Sequence, residues 1–170
     1  LKLHDIPNTV HKGLKAILKL KPIFTTIHIS GGDDMQKVSL IKNNKKTKIL
    51  GVTILTSLNK KETLKYYNEK NINNLVKRFA NYANKNKIKG LVCSPHEIGI
   101  VRKEVGKKMI LVVPGIRPKK KYKSKKDDQR RVLTPKKAIE LGADFLVIGR
   151  PITESKNPLE TIKKINHSIQ

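Results

Sequence analysis

LKLHDIPNT, the sequence of residues 1–9, is typical of a short strand that runs into a turn. Leu1 and Leu3 supply an apolar strand end, Pro7 breaks the strand, and the polar residues after it can begin a helix. Lys2 and Asp5 therefore lie at the carboxyl end of a predicted strand. Because ligands and catalysis in parallel α/β folds concentrate at that end, Lys2 and Asp5 become the first site candidates.

The rest of the chain repeats a unit of one short apolar strand followed by one amphipathic helix. Near-continuous apolar strands that alternate with helices indicate a parallel sheet covered by helices. Further strands are predicted over residues 24–30, 48–55, 88–93, 109–113 and 143–148. Helices are predicted over residues 10–20, 35–41, 72–84, 94–103, 134–141 and 157–169.

Two architectures fit this alternation, an open doubly wound sheet and a closed (β/α)8 barrel. Polar residues follow the end of every predicted strand. In a barrel every strand end can contribute to the site, whereas an open sheet does not need a contribution from every strand. A barrel has eight units and about 250 residues. We therefore predict an α/β fold of the (β/α)8 TIM-barrel type, in which residues 1–170 form a single domain. They would supply strands 3 to 8 with their helices and lack the first two βα units.

The charge balance is strongly basic, with 38 Lys and Arg against 13 Asp and Glu, a formal net charge of +25. Most of the excess is lysine scattered along the whole chain and not gathered with aromatic residues. This distribution predicts a solvated basic surface with weak, salt-sensitive affinity for polyanions and no specific nucleic-acid partner.

One cysteine, Cys93, argues against a disulfide framework and for a reducing compartment. The apolar runs are far too short to span a bilayer. We therefore expect a soluble, cytoplasmic protein without a membrane partner.

The sequence lacks the motifs of several common catalytic and cofactor-binding sites. The chain has no GxGxxG turn, no Walker lysine loop, no Cys/His cluster with metal spacing and no nucleophile elbow, and its five histidines are dispersed. What remains is anion recognition after the last strand. There Gly149 would let backbone approach an oxyanion and Arg150 offers a two-pronged donor. The pattern favours a phosphate ester as ligand.

Five segments in register resemble the bacterial type of orotidine 5'-phosphate decarboxylase. Any one of them alone would be weak, but they follow the order and nearly the spacing of that family from first residue to last. They are Lys2-Leu3-His4-Asp5-Ile6-Pro7-Asn8-Thr9, Leu55-Thr56-Ser57, Pro114-Gly115-Ile116-Arg117-Pro118, Asp128-Gln129-Arg130-Arg131 and Ile148-Gly149-Arg150-Pro151-Ile152-Thr153.

The resemblance implies a (β/α)8 barrel that works as a homodimer. It implies the loss of carbon dioxide from orotidine 5'-phosphate to give uridine 5'-phosphate in de novo pyrimidine biosynthesis, without metal or cofactor. In the family signature Asp-x-Lys-x-x-Asp, Lys2 matches the lysine that protonates carbon 6. Asp5 matches the final aspartate, which reaches the neighbouring subunit's site together with Thr9.

Further substrate contacts follow from the same resemblance. Thr56 matches a contact on the base side, Arg117 and Gln129 match phosphate or lid contacts, and Gly149 with Arg150 matches the phosphate cradle. The polar segment 119–127 would be the lid. Asp127 stands where the family usually has glycine, which puts the lid geometry in doubt.

Two other functions stay open on the sequence. A sugar-phosphate decarboxylase or aldolase of the same barrel suprafamily would keep Lys2 and Asp5 but would require magnesium ligands. An inactive basic fragment would bind polyanions without preferring pyrimidine nucleotides. Since the signature's first aspartate would precede Leu1, we expect residues 1–170 alone to be inactive and a form with the two preceding units to be active.

Overall fold

The computed structural model describes residues 1–41, 46–118 and 132–170. Its centre is one sheet in which every neighbouring pair of strands is parallel and the strands follow chain order. The carboxyl ends of all the strands therefore lie at one edge, as predicted. The strands are β1 (Lys2–Leu3), β2 (Phe24–His28), β3 (Lys48–Val52), β4 (Gly90–Val92), β5 (Ile110–Val113) and β6 (Phe145–Leu146).

Helices follow every strand. The predicted helices 10–20, 72–84, 94–103, 134–141 and 157–169 each lie within a few residues of an observed helix. In the described part of the chain, no helix combines the length and apolar character needed to cross a bilayer. The helices are α1 (Pro7–Lys19), α2 (Gly32–Lys37), α3 (Lys60–Tyr67), α4 (Ile72–Lys85), α5 (Ile98–Val105), α6 (Pro135–Glu140), α7 (Arg150–Thr153) and α8 (Pro158–His167).

Three helices differ from the predictions: α2 is shifted along the chain, and α3 and α7 were not predicted. Helix α2 begins at Gly32 and ends at Lys37 instead of covering 35–41, because Asp33 and Asp34 stabilise a start in its first turn. Helix α3 was missed because its sequence is polar. Its signal was a capping box: the Asn59 side chain accepts from the backbone N–H of Glu62, and the Glu62 carboxylate accepts from that of Asn59 at 2.7 Å.

The strands are shorter than the apolar runs that predicted them. Strand β3 ends at Val52 and β6 at Leu146, although the apolar runs continue to Leu55 and Ile148. Ile54 is buried in the core and Ile148 packs against it. Burial therefore continues after the chain has left the hydrogen-bonded ladder.

The sheet is strongly curved. The rings of Phe24 on β2 and Phe145 on β6 meet edge to face with centroids 5.0 Å apart. Four strand intervals of about 4.8 Å would hold β2 and β6 about 19 Å apart in a flat sheet. The contact therefore requires the sheet to curl around an inner face, as in a barrel wall.

Side chains alternate between the inner face and the helix layer. Leu50, Val52 and Val112 are buried on the inner face, outside the helix-packed core. The core itself lies between the outer face of the sheet and the helices. It includes Ile27, Ile49, Leu91 and Leu111 from the strands with Leu14, Leu75 and Phe79 from the helices.

Gly90 marks a close approach of backbone and side chains on the inner face. A Cβ there would lie 2.7 Å from the Ile110 carbonyl oxygen and 2.7 Å from Leu50 Cδ2. Only a residue without a side chain fits between β3 and β5 at this level.

We predict that Gly90→Ala lowers the free energy of unfolding by about 1–3 kcal/mol, because the added methyl group overpacks the inner face. Urea unfolding of the purified protein measures the change. Gly99→Ala is the matched control, since a Cβ on Gly99 meets nothing within 4 Å. It should leave stability unchanged or raise it by up to about 1 kcal/mol. Equal effects of the two substitutions would contradict the tight inner face.

Candidate active site

Lys2 lies on the inner face at the edge strand β1. It pairs in register with Thr26 of β2, so the two side chains share a face, and His28 follows two positions later on that same face. Two hydrogen bonds hold this register: the backbone N–H and the hydroxyl of Thr26 both donate to the Leu1 carbonyl oxygen, at 3.2 and 3.1 Å. Lys2 is exposed and is near enough to His28 to perturb its titration.

His4 and His28 stack beside Lys2, with ring centroids 4.9 Å apart and an interplanar angle of 21°. The pKa of His28 is lowered from 6.5 to about 4, first by burial of the half-buried ring and then by the positive charges of His4 and Lys2. The His28 imidazole is therefore neutral near pH 7. Lys2 thus supplies a cation beside the neutral His28 imidazole.

Asp5 and Thr9 lie at the start of α1, and both are exposed. Oδ1 of Asp5 accepts the backbone N–H of Ile6 at 2.7 Å. Lys2 and Asp5 do not form an ion pair within 4.0 Å in the described part of the chain. Within the single chain, these two predicted residues are therefore not joined by a direct ion pair.

The carboxyl ends of β3 and β4 bring polar groups to the same edge. The Thr53 hydroxyl donates to the Val92 carbonyl at 3.1 Å, and Thr56 follows, half-buried, three residues later. Ser94 comes directly after β4. Its backbone N–H donates to the buried carboxylate of Glu97 at 3.0 Å.

The hydroxyl of Ser94 is a candidate that the sequence pattern did not reveal. Ser94 is fully buried, and its Oγ has no hydrogen-bond partner among the described residues. A buried hydroxyl without a partner costs free energy, so a ligand that supplied one would gain binding energy there. In the sequence, Ser94 before Pro95 indicates only the start of a helix.

Arg117 follows β5 and anchors the loop that leaves it. Its backbone N–H donates to the Leu133 carbonyl at 2.9 Å, next to a parallel bridge between Ile116 and Leu133. Its guanidinium is half-buried and donates to the Ile116 carbonyl at 3.0 Å. Gln129 and the predicted lid, 119–127, lie outside the described residues.

Gly149 and Arg150 follow β6, the strand beside β5. The Gly149 carbonyl accepts the backbone N–H groups of Ile152 and Thr153 at 2.8 and 3.1 Å, which closes the first turn of α7. A Cβ on Gly149 would meet nothing within 4 Å, so a ligand has room to approach the backbone. Arg150 is partly buried. Since β5 and β6 are neighbours, their loops bring Arg117 and Arg150 to the same side of the site.

The structure thus places Lys2, Thr56, Ser94, Arg117 and Arg150 along one edge of a curved sheet. Residues 1–165 match the sequence profile of the orotidine 5'-phosphate decarboxylase / HUMPS family. The chain belongs to this family. The match confirms the resemblance that the five sequence segments carried.

Curated relatives named orotidine 5'-phosphate decarboxylase support the assignment. The protein of Dictyoglomus thermophilum is 42% identical, over 100% of this chain and 72% of its own length. That of Aquifex aeolicus is 45% identical, over 96% of this chain and 70% of its own length.

A solved structure of the family has the same fold. The orotidine 5'-phosphate decarboxylase from Lactobacillus acidophilus superposes with a TM-score of 0.80 at 33% identity, covering 100% of this chain and 73% of its own. The six parallel strands therefore correspond to most of a (β/α)8 barrel, and the predicted fold class is confirmed.

The shifted pKa of His28 predicts a pH-dependent stability. Unfolded His28 titrates at 6.5 and folded His28 at about 4. The unfolded chain therefore binds more protons between these values, and native stability falls as the pH drops through that window. We expect His28→Gln to lose less unfolding free energy than the wild type between about pH 7 and about pH 4.5, by urea unfolding at both values.

The control for this measurement is His96→Gln, which removes an exposed histidine away from Lys2. It should follow the wild type. If His28→Gln and the wild type lost equal stability on acidification, the lowered pKa of His28 would be refuted.

Proposed function

We propose that Lys2 is the catalytic proton donor and Arg150 the phosphate anchor of an orotidine 5'-phosphate decarboxylase. The family and its curated relatives support decarboxylation of orotidine 5'-phosphate to uridine 5'-phosphate in pyrimidine biosynthesis. The observation that carries the role of Lys2 is its register: β1 pairing puts it on the inner face, at the edge where the strands end.

The chemistry explains why a cation is needed there. Loss of carbon dioxide from carbon 6 of the pyrimidine leaves an electron pair that is not delocalised into a carbonyl group. A preorganised ammonium at that carbon stabilises the developing negative charge more than it stabilises the substrate. The Lys2 ammonium then transfers a proton to carbon 6 as the C–C bond breaks. Since His28 is neutral near pH 7, it does not compete as the acid.

The phosphate group would be bound at the other end of the site. Arg150 supplies charge-assisted hydrogen bonds, the open space at Gly149 admits an oxyanion, and Arg117 lies on the loop of the neighbouring strand. Gln129 is assigned to the same phosphate or to the lid by the resemblance. Binding energy gained at the phosphate, away from the reacting carbon, can orient the base and close loops.

The base would lie between these ends. Thr56, at the end of β3, is the contact that the resemblance assigns to the base side. Ser94, at the end of β4, adds a buried hydroxyl without a partner in the described part of the chain. Both are uncharged hydrogen-bonding groups, which suit the amide-like edge of a pyrimidine.

The comparisons weigh against a sugar-phosphate enzyme. The family description covers a second activity, but the relatives from Dictyoglomus and Aquifex both carry the decarboxylase name. A uridine 5'-phosphate titration separates the alternatives, since neither a sugar-phosphate enzyme nor a basic fragment should prefer a pyrimidine nucleotide over ribose 5-phosphate.

A cytoplasmic location is part of the proposal. Cys93 is the chain's single cysteine, it is free and buried, and burial raises the pKa of its thiol well above the usual range. A thiol held in this state is unreactive, as expected for a protein of a reducing compartment.

We predict that Lys2→Met lowers kcat by at least about 10³-fold, because it removes both the proton donor and the cation at carbon 6. The assay follows the absorbance change on conversion of orotidine 5'-phosphate. It compares the variant with a wild-type protein of the same length that has measurable activity. Lys15→Met, which changes an exposed lysine on α1, is the control and should retain full activity. An active Lys2→Met protein would refute the assignment.

We also propose a homodimer in which Asp5 and Thr9 complete the neighbouring subunit's site. Both residues are exposed in the single chain, and Ile6 beside them exposes 67% of its surface. A second subunit that packed against the exposed Ile6 side chain would bring Asp5 and Thr9 close to its own site.

The dimer proposal predicts rescue on mixing. Lys2→Met and Asp5→Ala proteins should each be inactive, but an exchanged mixture should regain about a quarter of wild-type activity. Half of the dimers would be mixed, and each would hold one site with both intact residues. No gain after verified subunit exchange would place Asp5 in the same subunit's site as Lys2.

A further inference from the structure

A group of lysines gathers at the edge opposite the candidate active site. Because the strands are parallel and in register, the residues that lead into them share one edge of the sheet. We call the exposed lysines at or just before the starts of β2, β3, β4 and β5 the amino-edge lysines. They are Lys21, Lys46, Lys48, Lys87, Lys89, Lys107 and Lys108.

The amino-edge lysines are not neutralised by acidic neighbours. In the described ranges, none of them lies within 4.0 Å of a carboxylate. The acidic residues near this edge are already paired with other cations. These pairs are Asp33 with Lys85 at 3.6 Å, Glu104 with Lys77 at 3.9 Å, Glu140 with Lys137 at 3.1 Å and Asp144 with Arg102 at 2.9 Å.

Three of the amino-edge lysines line a cavity. Lys48, Lys87 and Lys89 line a cavity of about 370 Å³, whose other lining residues are Ser39, Thr47 and the apolar Leu40, Ile41, Ile49 and Ile88. Four neighbouring strands at about 4.8 Å spacing make the basic front about 14 Å wide. A nucleic-acid duplex carries one negative charge per about 1.7 Å of its axis with both strands counted, so about eight phosphates lie along this length and those on the near side would face the lysines.

We propose that the amino edge binds the phosphate backbone of nucleic acid without reading its sequence. The ammonium groups of Lys48, Lys87 and Lys89 contact phosphates at the cavity, and the remaining amino-edge lysines extend the contact across the strand starts. Lysine is a flexible point charge without the planar fork of arginine, which suits backbone contacts and not base recognition. The active site at the opposite edge stays accessible.

A nucleic acid fits this edge better than a membrane surface does. A protein that lies on a bilayer commonly presents an amphipathic helix whose apolar face inserts below the headgroups. The amino-edge lysines lie instead at the start of β3 and on the segments that lead into β2, β3, β4 and β5, and three of them line a cavity. A row of positive charges across the strand starts is complementary to the negatively charged phosphate backbone of a duplex.

The test compares two triple variants of equal net charge. Lys48→Gln, Lys87→Gln and Lys89→Gln together remove the cavity lysines. Lys12→Gln, Lys15→Gln and Lys163→Gln together remove three exposed lysines from the middle of helices α1 and α8. Binding of a fluorescein-labelled DNA duplex of about 20 base pairs is followed by anisotropy over a series of KCl concentrations.

The wild type should bind with an affinity that falls linearly in a plot of log K against log salt. The cavity triple should reduce that slope by about 2 to 3 and weaken binding at least about tenfold at low salt. The helix triple should change the slope by less than about 1. A second duplex of unrelated sequence should bind equally, and saturating uridine 5'-phosphate should leave duplex affinity unchanged.

Equal weakening by the two triples would reduce the effect to net charge and overturn the proposal. So would absence of duplex binding by the wild type at low salt, or tighter binding to vesicles of phosphatidylcholine and phosphatidylglycerol than to the duplex. If the cavity triple does not match the wild-type urea midpoint, the variant Lys107→Gln with Lys108→Gln replaces it and should lower the slope by about 2.

Discussion

The pairing of the edge strand β1 with β2 determines what this molecule can do. The Leu1 carbonyl accepts two hydrogen bonds from Thr26, one from its backbone and one from its hydroxyl, and this fixes Lys2 opposite Thr26. A slip of one residue would turn Lys2 toward the helix layer and Leu3 toward the inner face. An edge strand of two residues has few other contacts, so these bonds decide where the ammonium lies.

Curvature and parallel direction then divide the molecule into two functional edges. The contact between Phe24 and Phe145 shows that the sheet curls, which turns the strand ends after β1 and β6 toward a common inner face. At the carboxyl edge the groups proposed to contact the substrate within one chain are Lys2, the hydroxyls of Thr56 and Ser94, and the guanidinium groups of Arg117 and Arg150. At the amino edge the groups are numerous lysines without acidic partners among the described residues. The parallel sheet thus places the proposed substrate site at one edge and the exposed lysines at the opposite edge.

Much of this organisation could be predicted from the sequence, since apolar runs of strand length alternate with helical periodicity. The placement of Lys2, Gly149 and Arg150 within or after strands could be predicted from that pattern alone.

Helix α3 was missed because its stability comes from the Asn59 and Glu62 cap and not from an apolar stripe. The stacking of His4 on His28 depends on strand register, which no local pattern encodes. The Ser94 hydroxyl, which has no hydrogen-bond partner among the described residues, likewise follows from tertiary packing and not from a local pattern. The lysines were predicted as a scattered surface; the parallel sheet gathers seven of them at one edge.

The most direct test of the central claim is a crystal structure of the protein with uridine 5'-phosphate bound. We predict that the Lys2 ammonium lies within hydrogen-bonding distance of carbon 6 of the base, while the Arg150 guanidinium binds the phosphate of the same nucleotide. A nucleotide bound away from Lys2, or Lys2 and Arg150 facing different cavities, would contradict the account.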